Sequence, residues 1–334
     1  MRIEPLRQRL RALGAKPSHE ERILRAWVRA RPLDHGPVPA AHALPLAVRA
    51  DLPALAAELA GLARIVSEHA GADGSGRLLV ELGDGQTVES VLLPRAGLCV
   101  STQVGCAVGC TFCMTGRAGL LRQLTSGEIV AQVVLGRQRQ PVKKVVFMGM
   151  GEPAHNLDNV IEAIHLLGTA ADIGHKNLVF STVGDRRVFE RLPRERVKPA
   201  LALSLHTTDA ELRAQLLPRA PRIDPAELVE LGEAYARATG YPIQYQWTLL
   251  AGINDGDAEL AGIARLLKGK YAVMNFIPYN EVEGPGFRRP APERLREMAQ
   301  HLHRLGILAK LRQSAGQDIE GGCGQLRARA LAAA

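Results

Sequence analysis

The sequence predicts an α/β fold organised around a parallel sheet, curled into a six-stranded partial barrel. From residue 97 onward, short apolar β-branched runs alternate with helical stretches, as expected of strand–helix–strand units whose helices cover a parallel sheet. Polar clusters follow several of the predicted strands, and barrels of this kind carry their chemistry at the C-terminal strand ends. A chain of 334 residues, 46% hydrophobic, is long enough for one large domain and a smaller one.

Residues 1–70 read as helical. Leu6, Leu10 and Leu13 share one helical face, and Glu20–Val28 forms a second helix. A third is expected with Asp51 as N-cap, Pro53 in the first turn, and Leu52, Leu55, Leu59, Leu62 and Val66 at helical spacing. Pro32 to Pro45 holds four prolines and reads as a linker. Arg77–Leu82 and Thr87–Leu93 alternate around Gly83-Asp84-Gly85, a tight-turn signal that predicts a hairpin.

Barrel strands are expected at Leu98–Val104, Lys144–Met148, Asn177–Ser181, Ala200–Leu205, Ile243–Leu249 and Ala272–Ile277, with a further one at Leu308–Arg312. Ser126–Arg137, Leu157–Leu167, Pro225–Thr239 and Pro292–Leu305 are among the intervening helices. The expected division is a helical accessory domain over 1–70, a hairpin extension over 71–96, the barrel over 97–313 and a C-terminal segment over 314–334.

The formal charge of +8 suits a polyanionic partner such as nucleic acid, although scattered arginines equally suit a solvated surface. Aromatic residues make up 4%, too few for a base-stacking platform. No apolar run reaches the roughly 18 residues of a membrane span. The start Met1-Arg2-Ile3-Glu4-Pro5 lacks the basic-then-apolar secretory pattern, so a soluble, cytoplasmic protein is expected.

Three of the five cysteines, Cys106, Cys110 and Cys113, form a CxxxCxxC triplet just after the first barrel strand. Three thiolates on one short loop suit a cubane 4Fe-4S cluster with one iron left open. That open iron can chelate S-adenosylmethionine (SAM) and reduce its sulfonium. A structural zinc with Cys99 as fourth ligand is the competing reading. Gly149-Met150-Gly151-Glu152-Pro153 closes the second strand, where Glu152 can accept from an ammonium group. Ser181, Ser204 and Asn280 end later strands and are candidate contacts to a ribose or carboxylate. His206 is expected to titrate near neutrality and to act as a contact. Glu89, among Val88, Val91 and Leu92, reads by local pattern as a solvent-facing strand acid. Cys323 lies in the glycine-flanked run Glu320-Gly321-Gly322-Cys323-Gly324, which suits either a mobile nucleophile or an incidental thiol.

Taken together these motifs resemble the RlmN/Cfr family of radical SAM RNA methyltransferases. The resemblance runs from Val88-Glu89-Ser90-Val91 through Cys99 to Cys106, Phe147 to Pro153 and Ser204-Leu205-His206, and on to Ala315 through Leu326. It implies a radical SAM partial (β/α)6 barrel that methylates a ring carbon of adenosine. Cys106, Cys110 and Cys113 would hold a 4Fe-4S cluster, and Gly151, Glu152, Ser181, Ser204, Leu205, His206 and Asn280 would contact SAM. Cys323 would be S-methylated, Cys99 would resolve it through a disulfide, and Glu89 would accept the ring proton. The resemblance also implies two SAM per turnover and an electron from a flavodoxin or ferredoxin. The expected protein is a monomer without membrane contact. Its expected target is C2 of an adenosine in 23S ribosomal RNA, with transfer RNA a second candidate. Two alternatives remain: C8 methylation of the antibiotic-resistance type, towards which Met114-Thr115-Gly116-Arg117-Ala118 leans, and a non-catalytic metal-containing RNA-binding protein.

Overall fold

The computed structural model describes residues 1–117, 119–280 and 286–312. Four helices open the chain: α1 (Ile3–Ala12), α2 (Pro17–Val28), the short α3 (Ala40–Ala43) and α4 (Leu46–Ala60). Their buried Leu6, Leu10, Ile23, Leu24, Val48 and Leu55 recur at the spacing of one helical face and join the main core. Four strands follow, β1 (Ala63–Ala70), β2 (Gly76–Leu82), β3 (Thr87–Leu93) and β4 (Gly97–Cys99), each antiparallel to the next.

A separate two-stranded ribbon, β5 (Gln103–Gly105) and β6 (Leu120–Gln123), brackets the cysteine loop. The rest alternates strand and helix: α5 (Ser126–Arg137), β7 (Lys144–Phe147), α6 (Leu157–Thr169), β8 (Leu178–Thr182), α7 (Arg186–Arg191) and β9 (Ala200–Ser204). Two successive helices, α8 (Ala210–Leu216) and α9 (Pro225–Thr239), precede β10 (Ile243–Leu249). The last elements are α10 (Asp257–Leu267), β11 (Ala272–Pro278), α11 (Pro292–Arg304) and β12 (Ala309–Leu311). One ten-stranded sheet results, in the order β1-β2-β3-β4-β7-β8-β9-β10-β11-β12, parallel from β4 onward.

The parallel strands carry two apolar faces, as their near-continuous hydrophobic sequences require. Leu98, Val145, Phe147, Phe180, Leu201 and Leu203 face the helices in the main core. Cys99, Val146, Val179, Ala200 and Ala202 form a smaller cluster on the other face. Local chemistry sets the helix ends. Thr125 and Glu128 form a reciprocal capping box at α5, with Glu128 N–H donating to Thr125 Oγ1 at 3.3 Å and Thr125 N–H to Glu128 Oε2 at 2.7 Å. Asp224 caps α9 through Ala226 N–H at 2.8 Å, Pro225 begins it, and Gly240 ends it in the left-handed conformation.

Three expectations are corrected. The third helix starts at Leu46, so Asp51 and Pro53 lie inside it, and Asp51 pairs with Arg9 at 2.6 Å instead of capping. That helix stops at Ala60 beside Gly61, and Val66 belongs to β1, at a bulge between Ile65 and Ser67. Apolar spacing from Leu59 to Val66 fits a helix, but pairing with β2 and the β-branched Ile65-Val66 win. The first barrel strand is broken at Val100–Thr102. There Thr102 N–H donates to Met150 O at 2.8 Å, and Ser101 Oγ donates to Glu89 O at 2.6 Å.

Candidate active site

The cysteine loop leaves β5 through Gly105, whose φ of +80° and whose missing Cβ, which would lie 2.0 Å from Gly119 O, admit only glycine. Cys106 N–H donates to that same Gly119 carbonyl at 2.9 Å, tying the loop to the ribbon. On its far side Thr111 N–H donates to Leu216 O at 3.0 Å, and Arg219 N–H to Val108 O at 3.2 Å. Cys106 and Val108 pack with Leu216, Leu217 and Leu250. The loop is therefore held between β6 and the end of α8.

All three thiols line a cavity of about 360 Å³ at the C-terminal ends of the barrel strands. Gly149, Gly151 and Glu152 line it after β7, Ser181 from β8, Ser204 from β9 with His206 just beyond it, and Asn280 after β11. Gly151 adopts φ +106°, and a Cβ there would sit 2.6 Å from Gln103 Cβ, so the turn closes against Gln103 only with glycine. Gln103 Oε1 in turn accepts from Glu152 N–H at 2.7 Å.

Glu152 is buried and accepts from Ala154 N–H at 3.0 Å and Val183 N–H at 2.9 Å. Burial outweighs those bonds and raises its carboxyl to about 7. A cationic group placed against it would restore the carboxylate. Burial also pushes the Cys106 thiol up to about 12 and Cys110 well above the usual thiol range, with the neighbouring thiols and Glu152 adding repulsion. Such a donor set ionises only against a positive metal core, which fits the expected cluster.

His206 is corrected. Its ring packs edge-on to Phe112 with centroids 4.9 Å apart, and its Nδ1 accepts from Thr248 N–H at 3.0 Å. Burial, with Arg213 nearby, lowers its pKa to about 3, so it stays neutral instead of titrating near pH 7. Its φ of +64° is a strained conformation for a non-glycine residue. The Leu205 side chain points into the main core, so any ligand contact there is limited to backbone.

Glu89 is not solvent-facing. It is 1% exposed, and Oε2 accepts from Arg77 at 2.6 Å. Cys99 stands on the inner face of the sheet opposite Val91 and does not line the cavity, so it is not placed as a fourth ligand for zinc. Among the described residues no three His, Cys, Asp or Glu side chains converge on a single-ion position. Cys323 and the whole of 314–334 lie outside the described residues. The structure adds Gln246 and Thr248 of β10 to the cavity wall. Their signal in the sequence is the polar alternation within Ile243-Gln244-Tyr245-Gln246-Trp247-Thr248, a strand outside the motifs that point to the site.

Comparison with known proteins agrees with this architecture. Residues 100–264 match the radical SAM superfamily. A probable RNA methyltransferase of Aromatoleum aromaticum is 75% identical over 332 residues, 99% of this chain and 94% of that protein. One from Thiobacillus denitrificans is 73% identical over 334 residues, covering 100% of this chain and 92% of the relative. The crystal structure of a radical SAM methyltransferase from Sphaerobacter thermophilus is similar at a TM-score of 0.83 and 35% identity, over 97% of each chain.

Proposed function

This chain belongs to the RlmN/Cfr family of radical SAM RNA methyltransferases, and we propose that its target is C2 of an adenosine in 23S ribosomal RNA, with transfer RNA a second substrate. The observation that carries the reading is the cysteine triplet lining one cavity with Glu152, Ser181, Ser204 and Asn280 at the C-terminal strand ends.

When bound, SAM and the 4Fe-4S cluster that family membership implies supply a 5′-deoxyadenosyl radical able to take hydrogen from an unactivated carbon. Cys106, Cys110 and Cys113 would hold the cluster through their thiolates. Glu152, fixed by two backbone donors, would receive the SAM ammonium group, and Gly151, Ser181, Ser204, His206 and Asn280 would complete the contacts, with Leu205 contributing backbone. Cys323 carries the methyl group as a thioether, formed by displacement from one SAM; a second SAM serves the radical step. The S-methyl carbon, after losing hydrogen to that radical, would bond to the adenosine ring carbon and join the base to Cys323; the adduct would then give up one electron to the cluster and its ring proton to Glu89. Cys99 would attack the Cys323 sulfur, forming a disulfide as the carbon–sulfur bond to the base breaks and the released carbon takes a proton. Glu89 and Cys99 stand on neighbouring strands β3 and β4, where Val91 pairs with Cys99. A flavodoxin or ferredoxin supplies the electron to a monomeric enzyme. An adenosine must leave its stack to reach the cavity.

Mass-spectrometric mapping of RNA from deletion and complemented cells tests this, with 2-methyladenosine the expected difference. An 8-methyladenosine product would reassign the ring position, and unchanged methyladenosine would defeat the whole reading. Cys323→Ala is expected to abolish product, and Cys99→Ala to trap a covalent protein–RNA adduct that survives denaturant.

A further inference from the structure

Arg213 belongs to no motif singled out in the sequence. It lies on α8, is 4% exposed, and donates through Nη2 to two carbonyl oxygens, those of Val183 and of Ser204, the latter at 3.1 Å. The Val183 carbonyl directly follows β8 and the Ser204 carbonyl ends the adjacent β9. Val183 is also the residue whose N–H holds Glu152. One guanidinium therefore ties together the rim positions from which Glu152, Ser181 and Ser204 face the cavity.

The charge on this side chain is unbalanced. Among the described residues no carboxylate lies within ion-pair distance of it, and its buried Nε has no hydrogen-bond partner. The acidic groups acting on it are Cys110 and Glu152. Burial lowers its pKa to about 10, so it remains a cation at neutral pH. A buried cation without a counter-charge is strongly unfavourable, and the Cys110 thiol, expected to ionise when metal binds, lies within its electrostatic reach. Its helix also delivers Leu216, whose carbonyl holds the cysteine loop at Thr111.

We infer that Arg213 is the fixed positive charge of the cluster site: it positions the rim at Val183 and Ser204 and makes the bound cluster easier to reduce. The inference rests on the reading of Cys106, Cys110 and Cys113 as cluster ligands. One-electron reduction by an external donor adds negative charge to the cluster. A nearby cation in a poorly polarisable surrounding stabilises the reduced form more than the oxidised one.

The test is a redox titration of anaerobically reconstituted full-length protein with dithionite, followed by EPR of the reduced cluster, together with equilibrium SAM binding. Arg213→Gln is expected to lower the reduction constant about tenfold, a midpoint about 59 mV more negative for one electron. Arg213→Lys, which keeps the charge and loses the two-carbonyl fork, is expected to hold the midpoint within about twofold in the reduction constant and to weaken SAM binding about tenfold. Equal midpoints in wild type and a cluster-loaded Arg213→Gln would overturn the inference. Should the Gln variant not fold, the Lys variant decides: a reduction constant lowered tenfold, or unchanged SAM affinity, overturns it. Failure of the wild type itself to take up a cluster would instead refute the reading of the cysteine triplet.

Discussion

Arg77 and Glu89 meet at 2.6 Å on neighbouring strands β2 and β3, each side chain 1% exposed. Sequence alternation alone places Glu89 in solvent, whereas the antiparallel pairing of Arg77 with Val91 and of Leu79 with Glu89 puts both charges on one buried face. An ion pair so enclosed is costly to break, because the remaining charge has no solvent to return to.

Arg77→Met is therefore expected to destabilise the fold by about 3–5 kcal/mol in urea unfolding. Arg77→Met combined with Glu89→Leu is expected to recover most of that loss. Glu89→Gln, compared at equal folded fraction, is expected to reduce methyl transfer by about 10²–10⁴. Turnover within threefold of wild type would leave Glu89 with a structural role alone.

Glu152 predicts a pH dependence in two readouts. The native carboxyl keeps its proton up to about pH 7, while the unfolded one releases it near 4.5. The native state thus binds the additional proton between those values, and stability falls as pH rises through that window, by about 3 kcal/mol in all. Glu152→Gln should flatten that fall in thermal melts of the cluster-free protein. A cationic ammonium group expels the same proton, so SAM affinity is expected to weaken below pH 7, approaching about tenfold per pH unit. A binding profile flat from pH 5.5 to 7.5 would show that no cation meets this carboxyl.

Cluster removal is expected to leave the loop in place. Its backbone is held by Gly119, Leu216 and Arg219 independently of any metal. Cys110→Ser should lose the absorbance near 400 nm on reconstitution while its melting temperature stays within about 3 °C of the cluster-free wild type. A large drop in melting temperature would mean the cysteine itself holds the loop together.

The strand–helix alternation after residue 97 needs only local pattern to be recognised, and Ile243–Leu249, Ser126–Arg137 and Pro225–Thr239 fall where periodicity and caps place them. The cysteine triplet was equally legible, since a loop ligating one cluster is local in the chain. Long-range pairing is not local. Val66 reads as helical until β2 claims it, and His206 reads as titratable until Phe112 and Thr248 enclose it.

Spacing along the chain, then, is enough to state which atoms are available for chemistry, because thiols, carboxyls and glycines are identities and intervals. Which of them carry charge, and which share one face, depends on what surrounds them after the sheet closes. Glu89 paired with Arg77, and Arg213 beneath two strand ends, owe their character to desolvation and to neighbours remote in the chain, and both exist only once the chain has folded.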